Sequence, residues 1–110
     1  MKENQILVIT KHPGQPAQID PLFYNELEAF QQFVGGYIET ITFSTDHLLI
    51  CNEEGKLLDL PYNINFLGEE IVGPCMIVGY DREGNFRSVK GSHVSCLMRV
   101  LNEWRGIDNA

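Results

Sequence analysis

A glycine pair, Gly35-Gly36, separates a helical pattern from a strand-like one and constrains the fold more than any other feature of the sequence. Before the pair, apolar residues recur at steps of four, three and four residues, which is the spacing of one helix face. We predict a helix that begins at Asp20-Pro21, because aspartate caps exposed helix amides and proline suits a first turn. The helix is predicted to end at the pair, since glycine adopts the left-handed conformation that follows many helices. The apolar stripe consists of Phe23, Leu27, Phe30 and Val34.

Apolar and β-branched runs elsewhere in the chain predict strands. Residues 6–10 are apolar at consecutive positions and are expected to form a strand buried on both faces, and residues 17–19 a short edge strand. Residues 37–43 and 47–51 are predicted to pair as an antiparallel hairpin, to which residues 56–58 add a third strand. Within residues 37–43 the odd-numbered positions share one face and the even-numbered positions share the other.

The C-terminal half of the sequence is less regular. Residues 62–68 are interpreted as irregular or as one short helical turn. Residues 70–80 are interpreted as the last β segment, in which Gly73-Pro74 either bends the strand or marks a sheet edge, because proline cannot donate to a strand ladder. A final helix is predicted to begin with a cap at Ser92, to carry Trp104 on its apolar stripe, and to end at the glycine two residues later.

These elements predict the α+β class, with a mostly antiparallel sheet of about five strands packed with two helices. The length of 110 residues fits a single domain over residues 1–110. No apolar run approaches the roughly 18 residues of a membrane span, and the N-terminal apolar run is too short for a signal peptide. We therefore expect a cytoplasmic protein that does not bind membranes.

The charge and the cysteine content exclude several functions. A net charge of −7 with scattered basic residues argues against nucleic-acid binding through phosphates. The acidic pairs Glu53-Glu54 and Glu69-Glu70 are interpreted as solvated surface that cannot supply a paired catalytic site. The three cysteines are odd in number and lack zinc-site spacing, so neither a disulfide framework nor a metal site is predicted. We predict no cofactor, no metal and no catalytic residue.

A Cys-His enzyme is an alternative that the sequence leaves open. It would join Cys51 or Cys75 to one of the three histidines, with Asp46 orienting the imidazole. Burial of these cysteines as small apolar side chains is the simpler interpretation. The histidines, His12, His47 and His93, lie in different segments of the chain.

A candidate ligand site is predicted near the glycine junction and the asparagine-rich turns. Aromatic faces beside amide side chains suit a planar ligand or a peptide edge, although the same rings could belong to the core. The candidate residues are Tyr37, Asn52, Tyr62, Asn63 and Phe66.

Four sequence blocks occur in an order that resembles a known group of proteins. They are VGGYIE (34–39), CNEEGKL (51–57), LPYN (60–63) and IVGPCMIVG (71–79). Over about residues 5–80 the chain resembles a small family of uncharacterised domains common in phages, prophages and conjugative elements of Gram-positive bacteria. The resemblance implies an accessory protein of a mobile element and supplies no catalytic residues. The last block departs from the family pattern at Gly73-Pro74-Cys75, where a small residue followed by larger apolar ones is expected, so the resemblance does not imply a regular last strand.

Three functions from different classes follow as hypotheses. The favoured one is a non-enzymatic accessory protein that binds a host protein, a role that could serve to counter host defence, or that associates with itself. Its interface would lie at an exposed edge beside Pro74 or on the final helix around Trp104. The alternatives are a sponge that sequesters a small nucleotide-type signalling molecule and a small Cys-dependent enzyme.

Overall fold

The computed structural model describes residues 4–108, with side-chain surroundings described as far as residue 102. The elements alternate between short strands and two helices, and a 3-10 turn at Gly91–His93 precedes the second helix. They are β1 Gln5–Lys11, β2 Gln18–Tyr24, α1 Leu27–Val34, β3 Ile38–Thr42, β4 His47–Asn52, β5 Tyr62–Phe66, β6 Glu69–Val72, β7 Cys75–Tyr80, β8 Phe86–Arg87 and α2 Val94–Asp108.

The main sheet is antiparallel throughout, in the order β2-β1-β7-β4-β3, with β8 paired to the end of β7. All six residues of β4 are buried, as are the first five of β7. Strands buried on both faces require a layer on each side of the sheet. The predicted α+β class, with an antiparallel sheet and two helices, is confirmed.

One face of the sheet is covered by α1 and the other by two elements side by side. Phe30 and Val34 of α1 pack into a buried cluster with side chains of β1, β4 and β7. On the opposite face, the β5–β6 hairpin and α2 together cover a second buried cluster, to which they contribute Phe66, Ile71 and Leu101. The fold therefore has three layers with two apolar cores.

The first helix begins at Leu27, so the start predicted at Asp20-Pro21 is wrong. Both residues belong to β2, where Asp20 lies opposite Val8 of β1. The Asp20 carboxylate does accept a hydrogen bond from the Leu22 amide at 3.0 Å, the kind of local bond that a helix cap makes. Pairing with β1 overrides that local signal.

The predicted apolar stripe is only partly buried. Phe30 and Val34 are buried as predicted, whereas Leu27 is 58% exposed at the start of the helix. Phe23 lies in β2 and packs against the same cluster from the strand. The predicted end is confirmed, because Gly35 is left-handed, with φ 83°.

Three predictions of secondary structure for the segments after β4 need correction. Residues 56–58 form turns and not a third meander strand, while residues 62–66 form β5 and not an irregular or helical segment. The segment predicted over residues 70–80 is two strands, β6 and β7, separated by the predicted break at Gly73-Pro74. Pro74 leads into β7, which lies in the middle of the main sheet, so the proline does not mark an edge of that sheet.

The C-terminal helix is present, with different limits. Ser92 lies within the 3-10 turn, and α2 starts at Val94 and extends through Gly106 to Asp108. The side chain of Trp104, predicted to take part in an interface, lies outside the described side chains.

A buried asparagine fastens the β5–β6 hairpin to the main sheet. Asn63 Nδ2 donates to the carbonyl oxygens of Lys11 and Gly73, each at 2.8 Å, and lies 3.6 Å from Cys75 Sγ. Its Oδ1 accepts from Lys11 Nζ at 3.1 Å. Since Asn63 and Lys11 are both buried, these bonds are formed away from water, where an unmade bond is costly.

We expect Asn63→Ala to lower the free energy of unfolding by about 2–4 kcal/mol, because it leaves buried polar groups of β1 and of the β6–β7 connection without their partner. Denaturant unfolding measures the change. The control is Asn85→Ala at an exposed position, where a shift within about 0.5 kcal/mol is expected. Equal losses for the two variants would contradict the role assigned to Asn63.

Candidate functional site

The five residues predicted to bind a ligand do not share one cavity in the structure. Asn63 and Phe66 are buried in the second core layer, where Phe66 contacts the ring of Phe43 edge-on at 4.9 Å. Tyr37 and Tyr62 are exposed, at 67% and 48%. Only Asn52 lines the cavity described below.

Asn52 joins the end of α1 to the loop that follows β4. Its Nδ2 donates to the carbonyl of Val34 at 3.0 Å, and its Oδ1 accepts from the amide of Glu54 at 2.7 Å. A Cβ at Gly36 would lie 3.1 Å from Asn52 Nδ2, so the second glycine of the pair gives this side chain room. The amide group is therefore engaged in holding the fold and shapes one wall of the cavity.

A cavity of about 180 Å³ opens where β3 and β4 meet β6 and the loop after β4. Ile41, Cys51 and Ile71 form part of its lining. A Cβ at Gly55 would lie only 2.8 Å from Val72, so a glycine is needed for the loop to approach β6 this closely. The acidic side chains around the cavity are Glu39, Glu53, Glu54, Glu69 and Glu70.

The cavity is strongly acidic, because Lys56 is the single basic residue among those that line it. Its negative charge acts on Cys51, whose pKa is raised to about 11, first by burial and then by Glu39 and Glu69. Both pairs that were predicted to be solvated surface, Glu53-Glu54 and Glu69-Glu70, are exposed as expected. Separate segments bring both pairs to one cavity, which sequence spacing could not indicate.

Next to the cavity, β3 forms one edge of the main sheet. The Glu53 amide donates to the Tyr37 carbonyl at 2.9 Å, which fixes the phase of the β3–β4 ladder. In an antiparallel pair, hydrogen-bonded residues alternate with residues whose backbone groups point outward. The outward set in β3 is therefore Ile38, Thr40 and Thr42.

The hydrogen bonds between β4 and β7 support this assignment of the outward residues of β3. The Tyr80 amide donates to the Asp46 carbonyl at 3.1 Å, so Leu48 and Ile50 direct their backbone groups toward β7. Leu48 and Ile50 are the partners of Thr42 and Thr40 in the β3–β4 register. Within residues 4–102, no hydrogen bond from outside the β3–β4 pair reaches the backbone of Ile38, Thr40 or Thr42.

The opposite edge of the sheet, β2, is obstructed. Pro21 has no amide hydrogen, and the register with β1 shifts between Ile6 and Val8. The Leu22 amide donates to Asp20, and the Leu22 carbonyl accepts from Gln5 Nε2 at 3.1 Å. A proline, a bulge and side-chain hydrogen bonds are the features by which edge strands avoid pairing with another chain. β3 has no proline, no glycine and no register shift.

Two histidines that are distant in sequence, at the start of β4 and just before α2, lie close together in the structure. The rings of His47 and His93 lie 5.1 Å apart, in a hollow that Asp46 and Cys96 also line. His47 is buried and its Nε2 has no hydrogen-bond partner among the described residues. Burial and, secondarily, His93 lower the pKa of His47, which favours the neutral imidazole.

This arrangement differs from the proposed Cys-His site. The cysteine in the hollow is Cys96, whereas Cys51 and Cys75 are buried in the core. No hydrogen bond connects the Cys96 sulfur to a histidine in the part of the chain that the structure describes. The pKa of Cys75 is raised to about 12, mainly by burial, so its thiol is protonated at neutral pH.

Among residues 4–102, whose side chains the structure describes, no group of three or more His, Cys, Asp or Glu is arranged to hold a metal ion. The helices within residues 4–108 lack the combined length and apolarity needed to cross a membrane.

Comparison with known proteins places the chain in a family without giving it an activity. No curated protein and no solved structure matches it. One family model matches over residues 1–102, nearly the whole chain. The expectation of an uncharacterised domain family is thereby confirmed, and the chain belongs to the DUF3846 family, a domain of unknown function.

Proposed function

We propose that this protein is a non-enzymatic binding module that recognises a protein partner by pairing the edge of β3 with an extended segment of that partner. The observation that carries the proposal is the contrast between the two sheet edges. β2 is obstructed by a proline, a bulge and side-chain hydrogen bonds, whereas β3 presents regular outward backbone groups. An open edge of this kind is a template for strand addition, in which main-chain hydrogen bonds supply affinity.

The surroundings of β3 suit such a contact. Glu39, Thr40 and Thr42 are exposed, and Tyr37 next to the strand is 67% exposed. Aromatic side chains of this kind are common at protein interfaces, because they combine a large apolar surface with one polar group. Tyr37, which the sequence suggested as a ligand contact, could therefore flank the added strand.

We further propose that the partner is a host protein and that the module belongs to a phage or another mobile element, acting in the host cytoplasm. The support is the sequence resemblance to accessory proteins of mobile elements. Countering a host defence system would be one use of such a module. Self-association is the less favoured form of this function, because a net charge of −7 makes copies repel one another.

A nucleotide sponge receives less support from the geometry. Among the residues predicted to bind a ligand, Asn63 is buried and hydrogen-bonded to β1 and Gly73, while Tyr37 and Tyr62 are exposed. The cavity beside β3 is lined by five glutamates and would repel a phosphate group. A cysteine enzyme is likewise disfavoured, since burial keeps Cys51 and Cys75 protonated.

We expect iodoacetamide to modify Cys96 rapidly and Cys51 and Cys75 slowly at pH 7.5. Raising the thiol pKa from 9.0 to about 11 for Cys51 lowers its thiolate fraction about a hundredfold, and burial slows access further. Mass spectrometry of the native protein over time measures the three rates, and Cys96→Ser should remove the fast phase. Modification of Cys51 or Cys75 as fast as Cys96 would contradict the argument against a cysteine nucleophile.

Thr40→Pro is expected to abolish partner binding while leaving the fold intact. Because the Thr40 amide points outward, proline removes no bond to β4, yet its ring occupies the place of the incoming strand. Peptides selected from a random display library against the wild-type protein serve as the partner. Their affinity, measured by calorimetry, should fall at least about tenfold on Thr40→Pro.

Thr40→Val is the matched control, since it retains the amide and a β-branched side chain and should bind within about twofold of wild type. Thermal unfolding of both variants checks that the sheet is preserved. Peptides that bind Thr40→Pro as tightly as the wild-type protein would contradict strand addition at β3.

A further inference from the structure

We infer that the partner segment carries a lysine or arginine whose cationic end enters the acidic cavity beside β3. This inference rests on the proposed strand addition and adds the chemistry of the partner to it. Its basis is the position of the cavity, which opens on the same face of the sheet as Glu39 and Ile41 of the edge strand.

The geometry of strand addition directs one side chain of the partner segment toward the acidic cavity. Glu39 pairs with Cys51 of β4, so on its outer side it forms a non-hydrogen-bonded pair with an incoming antiparallel strand. In such pairs the Cα atoms are about 4.5 Å apart and the two side chains leave the same face of the sheet. The partner residue opposite Glu39 therefore extends its side chain toward the cavity.

The charges of the cavity select a cation. Within the described part of the chain, none of the five lining glutamates makes an ion pair or a side-chain hydrogen bond. Lys56 alone offsets them, and the described structure gives Lys56 no ion pair either. Like charges gathered without partners repel one another, and an incoming ammonium or guanidinium group relieves that repulsion. The volume of about 180 Å³ is of the size that one long side chain can enter.

A second copy of the protein does not supply the basic side chain that the cavity requires. Pairing β3 with β3 of another copy would bring Ile38–Thr42, which contains Glu39 and no basic residue, to the cavity. An acidic segment from any partner would be repelled for the same reason. A basic extended segment is the occupant whose charge complements this edge.

The test compares the display-selected peptides on the wild-type protein and on the double variant Glu39→Gln/Glu69→Gln. We expect the selected peptides to share a lysine or arginine at one fixed position and to bind the double variant at least tenfold more weakly. Replacing that basic residue by norleucine should weaken binding to the wild-type protein equally. Binding to the wild-type protein should also weaken as salt rises from about 50 to about 300 mM, because the glutamates of the cavity are exposed and salt screens exposed charges.

The matched control is Glu28→Gln/Glu83→Gln, which changes the net charge equally at two exposed positions outside the cavity lining. It should leave the affinity within about twofold. The inference is overturned, while strand addition stands, if peptides that lose binding on Thr40→Pro lack a fixed basic residue or ignore Glu39→Gln/Glu69→Gln. A library that yields no peptide sensitive to Thr40→Pro overturns both.

Discussion

The burial of β4 and β7 on both faces is the constraint on which the rest of this structure depends. Strands without a polar face cannot lie at a surface, so one apolar layer must cover each side of the sheet. The eight-residue helix α1 covers one side. The other side needs both α2 and the β5–β6 hairpin, and the buried bonds of Asn63 attach that hairpin to β1. Because β4 and β7 occupy the interior positions, β2 and β3 become the edges, and this position gives β3 its proposed function.

The two edge strands of the main sheet differ in how well they are protected against pairing with another chain. β2 is protected along its length at the cost of a bulge and of a proline within a strand. β3 keeps a regular ladder with alternating outward amides. Among the described residues, the lining of the cavity beside it contains five glutamates and one basic residue, Lys56. An unprotected edge and unpaired charges each lower the stability or solubility of an isolated domain. Their occurrence side by side is simply explained if a basic extended segment binds there.

Local signals in the sequence predicted the elements whose conformation depends on local chemistry. The apolar run of β1, the left-handed end of α1 at Gly35, and the break at Gly73-Pro74 were all predictable from residue types. Asp20-Pro21 was misleading, because a capping signal and a bulged edge strand use the same local hydrogen bond, and pairing with β1 decides between them. The β3 edge and its cavity were not predictable, since they depend on strand order. Glu39, Glu54 and Glu69 come from three segments that only the tertiary fold brings together.

The exposed ladder of β3 is tested most directly by amide hydrogen exchange of the free protein, followed residue by residue by NMR. An open edge predicts alternating exchange rates, with the amides of Thr40 and Thr42 exchanging rapidly and those of Glu39 and Ile41 protected by β4. Uniform protection along β3 would show that another segment or another copy already covers the edge. Uniformly fast exchange would show that the β3–β4 ladder is not formed, and either result would contradict an open edge poised for strand addition.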